Sequence, residues 1–171
     1  MKTINYADMR VLFRKNVLVM QFFRDAYKDV LGIEKDSLFN HNLIKGDTFL
    51  VNDDFESKPM YFCAFYNDNS IYLVARIIFV DEAERRKGYG AQIIDWLKSN
   101  LSKNNERAIQ IGVECRKNAN FTMLDNYYSY HDFKRSTNSK NHGLDGDYHN
   151  YFWSDRAFCV NEFGPVGIYF K

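Results

Sequence analysis

Residues 71–80, IYLVARIIFV, are apolar or aromatic everywhere but at Arg76. Alternate side chains of an extended chain point to opposite faces, so a run apolar on both faces needs cover on both and predicts a central strand. Arg76 is the exception, and a charge in mid-strand requires an ion-pair partner or a place facing a cleft. The run passes directly into DEAERRKGYG, residues 81–90, and then into residues 90–101, where Ile93, Ile94, Leu97 and Leu101 share one helical stripe. Strand, glycine-containing turn and helix start together present free backbone N–H groups and the positive end of a helix dipole to an anion. Gly88 and Gly90 remove side chains where a phosphate would approach, and Arg85, Arg86 and Lys87 add charge at the same spot. The expected occupant is a phosphate-bearing ligand. A merely solvated basic turn would explain the charges, but it leaves two glycines at a helix start without a purpose.

Two better-known phosphate loops do not fit. The P-loop needs Gly, four residues and Gly-Lys-Ser/Thr, and the dinucleotide fingerprint needs three spaced glycines where this segment has two.

Elsewhere, residues 16–31 carry Leu18, Phe22, Ala26 and Val30 every fourth position, with Val19, Phe23 and Tyr27 alongside, which predicts an amphipathic helix stopped by Gly32. Gly46-Asp47 reads as a turn into a short strand at 48–51, and a polar loop at 52–59 leads to a strand at 60–66 that ends at the turn Asn67-Asp68-Asn69-Ser70. Residues 108–115 alternate as a strand, 120–130 read as a helix, and 133–136 and 148–153 as further strands around a polar loop at 137–147. Mixed α and β on a substantially antiparallel sheet is the class this supports.

Composition narrows the function classes. The chain has 171 residues, which suits one domain, and a formal charge of +1, which argues against holding nucleic acid or acidic lipid through bulk electrostatics. Cys63, Cys115 and Cys159 form no C-x-x-C pair and have no His at ligand spacing, so neither a disulfide framework nor a metal site is expected, and a reducing cytoplasm is the expected home. No leader is recognised, and no apolar stretch approaches the ~20 residues a membrane span needs. The aromatic share of 17% fills cores, pockets or interfaces, and composition does not choose among them. His41, His131, His142 and His149 have no Ser or Cys partner at a recognisable elbow, which disfavours a hydrolase.

The segment Arg85-x-x-Gly88-x-Gly90 resembles the pyrophosphate-binding signature, Gln/Arg-x-x-Gly-x-Gly/Ala, of the GNAT superfamily of acyl-CoA-dependent N-acyltransferases. The order of elements around it is similar too: an N-terminal helical region, three strands ending in the buried one, this loop, a helix, an alternating strand, a Tyr-containing helix and two more strands. The resemblance spans roughly residues 10–154. It implies an α+β fold whose central, mostly antiparallel, twisted sheet splays between strands four and five, with residues 1–154 as the domain and 155–171 as an aromatic extension. It also implies acetyl-CoA as co-substrate, with no metal. The backbone of Ile78, Phe79 and Val80 would hold the pantetheine arm, and Arg85, Arg86, Lys87, Gly88, Tyr89 and Gly90 the pyrophosphate.

The family's second motif, a helix carrying Asn and later Tyr-x-x-x-Gly-Phe, resembles residues 118–133, with Asn118 or Asn120 as the pantetheine-side Asn and Asp132 where Gly is usual. Tyr128 stands at the family spacing before Phe133 and would be the general acid for the thiolate, with Tyr127 and Tyr130 as rivals. An amine must lose a proton to attack a thioester. The family's strand-four Glu position is Val74 here, whereas Val113-Glu114-Cys115-Arg116 is similar to a strand-five run in protein N-terminal acetyltransferases, so Glu114 is the base this likeness implies. A solvated or Arg76-paired Glu114 is the alternative.

The acceptor would be an amine on a protein or a small molecule. A competing expectation is a non-catalytic CoA-binding or interaction module, in which the tail residues Phe158, Phe163, Ile168, Tyr169 and Phe170 add strands, cover the cleft or pair a homodimer.

Overall fold

The computed structural model describes residues 1–31, 47–68, 72–101, 108–114, 121–135 and 148–154. The chain divides into two compact units, Met1–Tyr66 with Ala75–Ile93, and Asn67–Val74 with Ile94–Lys171.

In the first unit, β1 (Lys2–Asn5) leads into α1 (Tyr6–Lys15) and α2 (Val17–Leu31). The Asn5 side chain caps α1 by accepting from Asp8 N at 2.9 Å. Asn16 serves two helices at once: its N–H donates to Leu12 O at the end of α1, and its Oδ1 accepts from Leu18 N and Val19 N at the start of α2. One residue thus closes α1, which hydrophobic periodicity did not mark, and opens α2, which matches the helix expected over 16–31. The strands β2 (Thr48–Val51), β3 (Tyr61–Asp68) and β4 (Tyr72–Val80) follow. β2 pairs antiparallel with β1, Thr3 opposite Leu50, and with β3, Leu50 opposite Cys63. The polar loop between them closes on itself: buried Asn52 accepts from Met60 N at 3.0 Å and donates to Lys58 O at 2.9 Å, and Phe55 is fully buried.

The core of this unit is aromatic. Phe22 and Phe23 of α2 meet Phe55, Phe62 and Phe79, mostly edge to face, with Phe22–Phe79 centroids 5.4 Å apart. Met9, Phe13, Val19, Ala26, Tyr27, Phe49, Val51, Ala64 and Ile77 pack with them. Leu18 departs from the predicted stripe and lies exposed, because the buried arc of α2 runs through 19, 22, 23, 26 and 27. Arg76 meets the demand of its mid-strand position with an ion pair to Asp47.

In the second unit, β5 (Ala108–Glu114), α4 (Phe121–Tyr130), β6 (Lys134–Arg135) and β7 (Tyr148–Trp153) follow α3 (Tyr89–Leu101), whose last turns belong here. β7 pairs antiparallel with β5, Ile111 opposite Tyr151, and with β6, Arg135 opposite Tyr151. Leu97, Leu101, Ile109, Ile111, Tyr128, Phe133 and Tyr151 are buried. No helix among the described residues is long and apolar enough to cross a membrane.

Candidate functional site

The first unit carries the glycine turn. After β4, Asp81 N donates to Met60 O, and the Asp81 side chain accepts from Ala83 N to start a single 3₁₀ turn, Glu82–Glu84. Arg86 and Gly88 then take left-handed conformations, with φ 66° and 86°. α3 begins with Gln92 N donating to Gly88 O at 3.1 Å, so the N–H groups of Tyr89, Gly90 and Ala91 precede the first bond of the helical ladder. A Cβ added at Gly88 would meet nothing within 4 Å. Glycine is therefore required by the backbone angle and not by crowding from the protein, and the space beside it is open.

The charges around this turn are largely spoken for. Arg85 Nη2 donates to Asp29 Oδ2 on α2 at 2.8 Å, and Arg85 Nε donates to Val80 O at 3.1 Å, with the guanidinium 5.8 Å over the Phe79 ring. Lys87 Nζ lies 2.9 Å from Glu84 Oε2, and that bond holds the Glu84 carboxyl below its usual range. Arg86 is exposed and has no ion pair among the described residues. Arg85 thus ties the strand end to α2 and Lys87 pairs with its neighbour Glu84, which leaves Arg86 as the loop cation with no ion pair among the described residues. Of the strand residues, Phe79 spends its side chain in the core, while Ile78 and Val80 are half-buried. Tyr89 packs its ring 5.1 Å from Tyr61.

The second unit carries the tyrosines. At the end of α4, Phe133 N donates to Tyr128 O and Asp132 N to Ser129 O, both at 3.0 Å. Asp132 is left-handed, with φ 62°, and the Phe133 ring lies 5.9 Å from that of Tyr128. This pair of bonds with its apolar contact is a Schellman cap. It explains the Tyr-to-Phe spacing, and it explains how Asp can stand where Gly is usual, because Asp tolerates this conformation better than most residues. Tyr128 is buried, its ring 5.2 Å from that of Tyr151. The Tyr127 hydroxyl is buried without a hydrogen-bond partner, and burial, with Asp95 adding, pushes it up to about 12. Tyr130 is 84% exposed. Burial chiefly, then Lys98, holds His131 below the usual histidine range. Glu114 ends β5 opposite Tyr148, while Asn118, Asn120, Cys115, Arg116 and the 155–171 extension lie outside the described residues.

Sequence reasoning missed Asp47, Asp29 and Tyr66. Asp47 is buried and binds Arg76 Nε at 3.0 Å, and the Arg76 guanidinium sits 4.1 Å over the Tyr66 ring. Burial outweighs the attraction of Arg76 and raises the Asp47 carboxyl to about 6. The lone charge in an apolar strand signalled that a partner existed, without saying which.

No protein-family model matches this chain, and no curated protein is similar to it in sequence. Solved structures resemble it in fold. A GNAT-family acetyltransferase from Staphylococcus aureus MU50 matches with a TM-score of 0.60 at 18% identity, covering 91% of this chain and 99% of that one. The yncA protein of Salmonella typhimurium, solved with its cofactor acetyl-CoA, matches with 0.60 at 11%, covering 94% and 96%. Arabidopsis thaliana NAA60, in complex with a bisubstrate analogue, matches with 0.53 at 15%, covering 80% and 92%. The chain has the mixed α and β fold, with a largely antiparallel sheet flanked by helices, of the GNAT acyl-CoA N-acyltransferases.

Proposed function

We propose that the protein is an acetyl-CoA-dependent N-acetyltransferase that transfers the acetyl group directly to a primary amine. The observation that carries this is the start of α3, where N–H groups ahead of the helical ladder adjoin a left-handed Gly88 with open space beside it. That is a cradle for a pyrophosphate. Acetyl-CoA supplies the activated acyl group as a thioester. The chain's own part is to bind the pyrophosphate on residues 85–90, chiefly through backbone N–H and Arg86, and to line the pantetheine arm with the backbone of Ile78, Phe79 and Val80. Asn118 or Asn120 completes the pantetheine side. The Tyr128 hydroxyl returns a proton to the departing thiolate, and Glu114 takes the proton of the acceptor ammonium, directly or through water. Orientation of the two reactants supplies most of the acceleration.

Isothermal titration tests the loop. Acetyl-CoA should bind the wild type, and Gly88→Glu should abolish binding while the variant keeps the wild-type circular dichroism spectrum. Undiminished binding by a folded Gly88→Glu variant overturns the assignment. Release of CoA across an amine panel, followed by mass spectrometry, then distinguishes an enzyme from a module that only binds the cofactor.

A further inference from the structure

Resting on that reading of β4 as the cofactor strand, a second feature of the same strand bears on the acceptor. Arg76, Ile78 and Val80 are its half-buried positions, whereas Ile77 and Phe79 are buried. Extended chain advances about 3.3 Å per residue, so Arg76 stands about 7 Å along the strand from Ile78, on the side away from the pyrophosphate turn.

The Arg76 side chain is 29% exposed and that of Asp47 only 1%. Their contact uses Nε and a single carboxylate oxygen, Oδ1, and Asp47 Oδ2 is buried without a partner. A pair serving stability alone is best built as a two-point fork with every lone pair satisfied, since burying charge costs more than a single contact returns. What this geometry does instead is fix a plane. The Nε bond and the Tyr66 ring hold the guanidinium from two directions, and among the described residues neither Nη nitrogen has a partner. A planar fork, pre-oriented and reachable from solvent, matches a carboxylate through two parallel N–H···O bonds.

We propose that Arg76, positioned by Asp47 and Tyr66, binds a carboxylate of the acceptor, so that the substrate is an amine of the amino-acid type, carrying an acid group beside the amine to be acetylated. Polyamines and other polycationic amines are disfavoured by the same guanidinium.

The test uses matched pairs: amino acids against their carboxamides, which keep the amine and lose the acid, with spermidine as a cationic comparison. CoA release should favour the acid over the amide by about tenfold to a hundredfold in kcat/KM, the worth of a charge-assisted contact. Arg76→Gln with Asp47→Asn replaces the ion pair by a neutral one, so no charge is stranded and the fold is preserved. That double variant should lose the preference through the KM of the acid, with the affinity for acetyl-CoA unchanged. Equal rates for acid and amide in the wild type, or a preference that survives in the double variant, overturn the proposal. A readout free of turnover is thermal shift with N-acetyl amino acids, which should stabilise the wild type and not the double variant. Absence of that shift in the wild type sinks the Arg76 site even where acetyl-CoA binds, and its presence without acetyl-CoA binding sinks the cofactor reading instead.

Discussion

Asp47→Asn measures which of two opposed effects wins at the ion pair. Burial favours the neutral acid and Arg76 favours the carboxylate, and burial prevails, raising the group from 3.8 to about 6. The folded protein therefore binds this proton more tightly than the unfolded chain. The stability Asp47 contributes is fully present below its unfolded value near 3.8 and is lost as pH rises through about 6. A separation of about two pH units is worth about 3 kcal/mol, of which about 2 kcal/mol or more falls between pH 4 and 7. Asparagine keeps the shape and an oxygen for Arg76 Nε but does not titrate. Urea unfolding of both proteins, followed by circular dichroism across that range, gives a difference from which the other ionisable groups cancel. The wild type should lose about 2 kcal/mol relative to Asp47→Asn on going from pH 4 to 7. A flat difference would show that the carboxyl is not perturbed by folding. A difference of the opposite slope would show that the attraction of Arg76 outweighs desolvation and would refute the reasoning.

Adjacent tyrosines on α4 should respond in opposite ways. Tyr127→Phe removes a buried hydroxyl that has no partner, and should raise stability by about 1 kcal/mol in urea unfolding. On the proposed reading, Tyr128→Phe should lower kcat by about a hundredfold or more with acetyl-CoA affinity unchanged, and unaltered turnover would move the acid role elsewhere. In the aromatic core, Phe23 is fully buried against Phe62 at 4.6 Å, so Phe23→Ala should cost about 3–5 kcal/mol and lower the Tm by about 10 °C, read by differential scanning fluorimetry.

Periodicity made most of the described elements legible, because each strand or helix buries one face. The alternation of Ile109 and Ile111 and the stripe of Ile93, Ile94, Leu97 and Leu101 both end buried where the pattern put them. The N-terminus was less legible. β1 is four residues long and half exposed, and the division of α1 from α2 hangs on Asn16, whose two capping roles leave no mark in hydrophobic pattern. Leu18 shows the limit of a four-residue repeat: a helix turns every 3.6 residues, so the fourth-neighbour row drifts out of the buried arc. Partnerships across the fold were the least legible. Asp47 looked like a turn residue, yet it lies 29 positions from the arginine it holds, and nothing local to either residue encodes the other.

The same distinction governs the glycine turn, where the residue types were visible and their division of labour was not. Read along the chain, acidic 81–84 followed by basic 85–87 suggests a cationic patch against an anion. In three dimensions Asp81 caps a 3₁₀ turn, Glu84 pairs with Lys87, and Arg85 bridges the Val80 carbonyl to Asp29. The charged residues chiefly build the loop, and the loop in turn sets two left-handed residues that aim the start of α3. Oriented N–H dipoles lose little to reorganisation when an anion arrives, whereas flexible surface lysines must be ordered first. On the proposed reading, a chain of nearly balanced charge would recognise a pyrophosphate without a basic surface, provided the backbone is held, and Asp81, Arg85 and Gly88 are the residues whose bonds and backbone angle hold it.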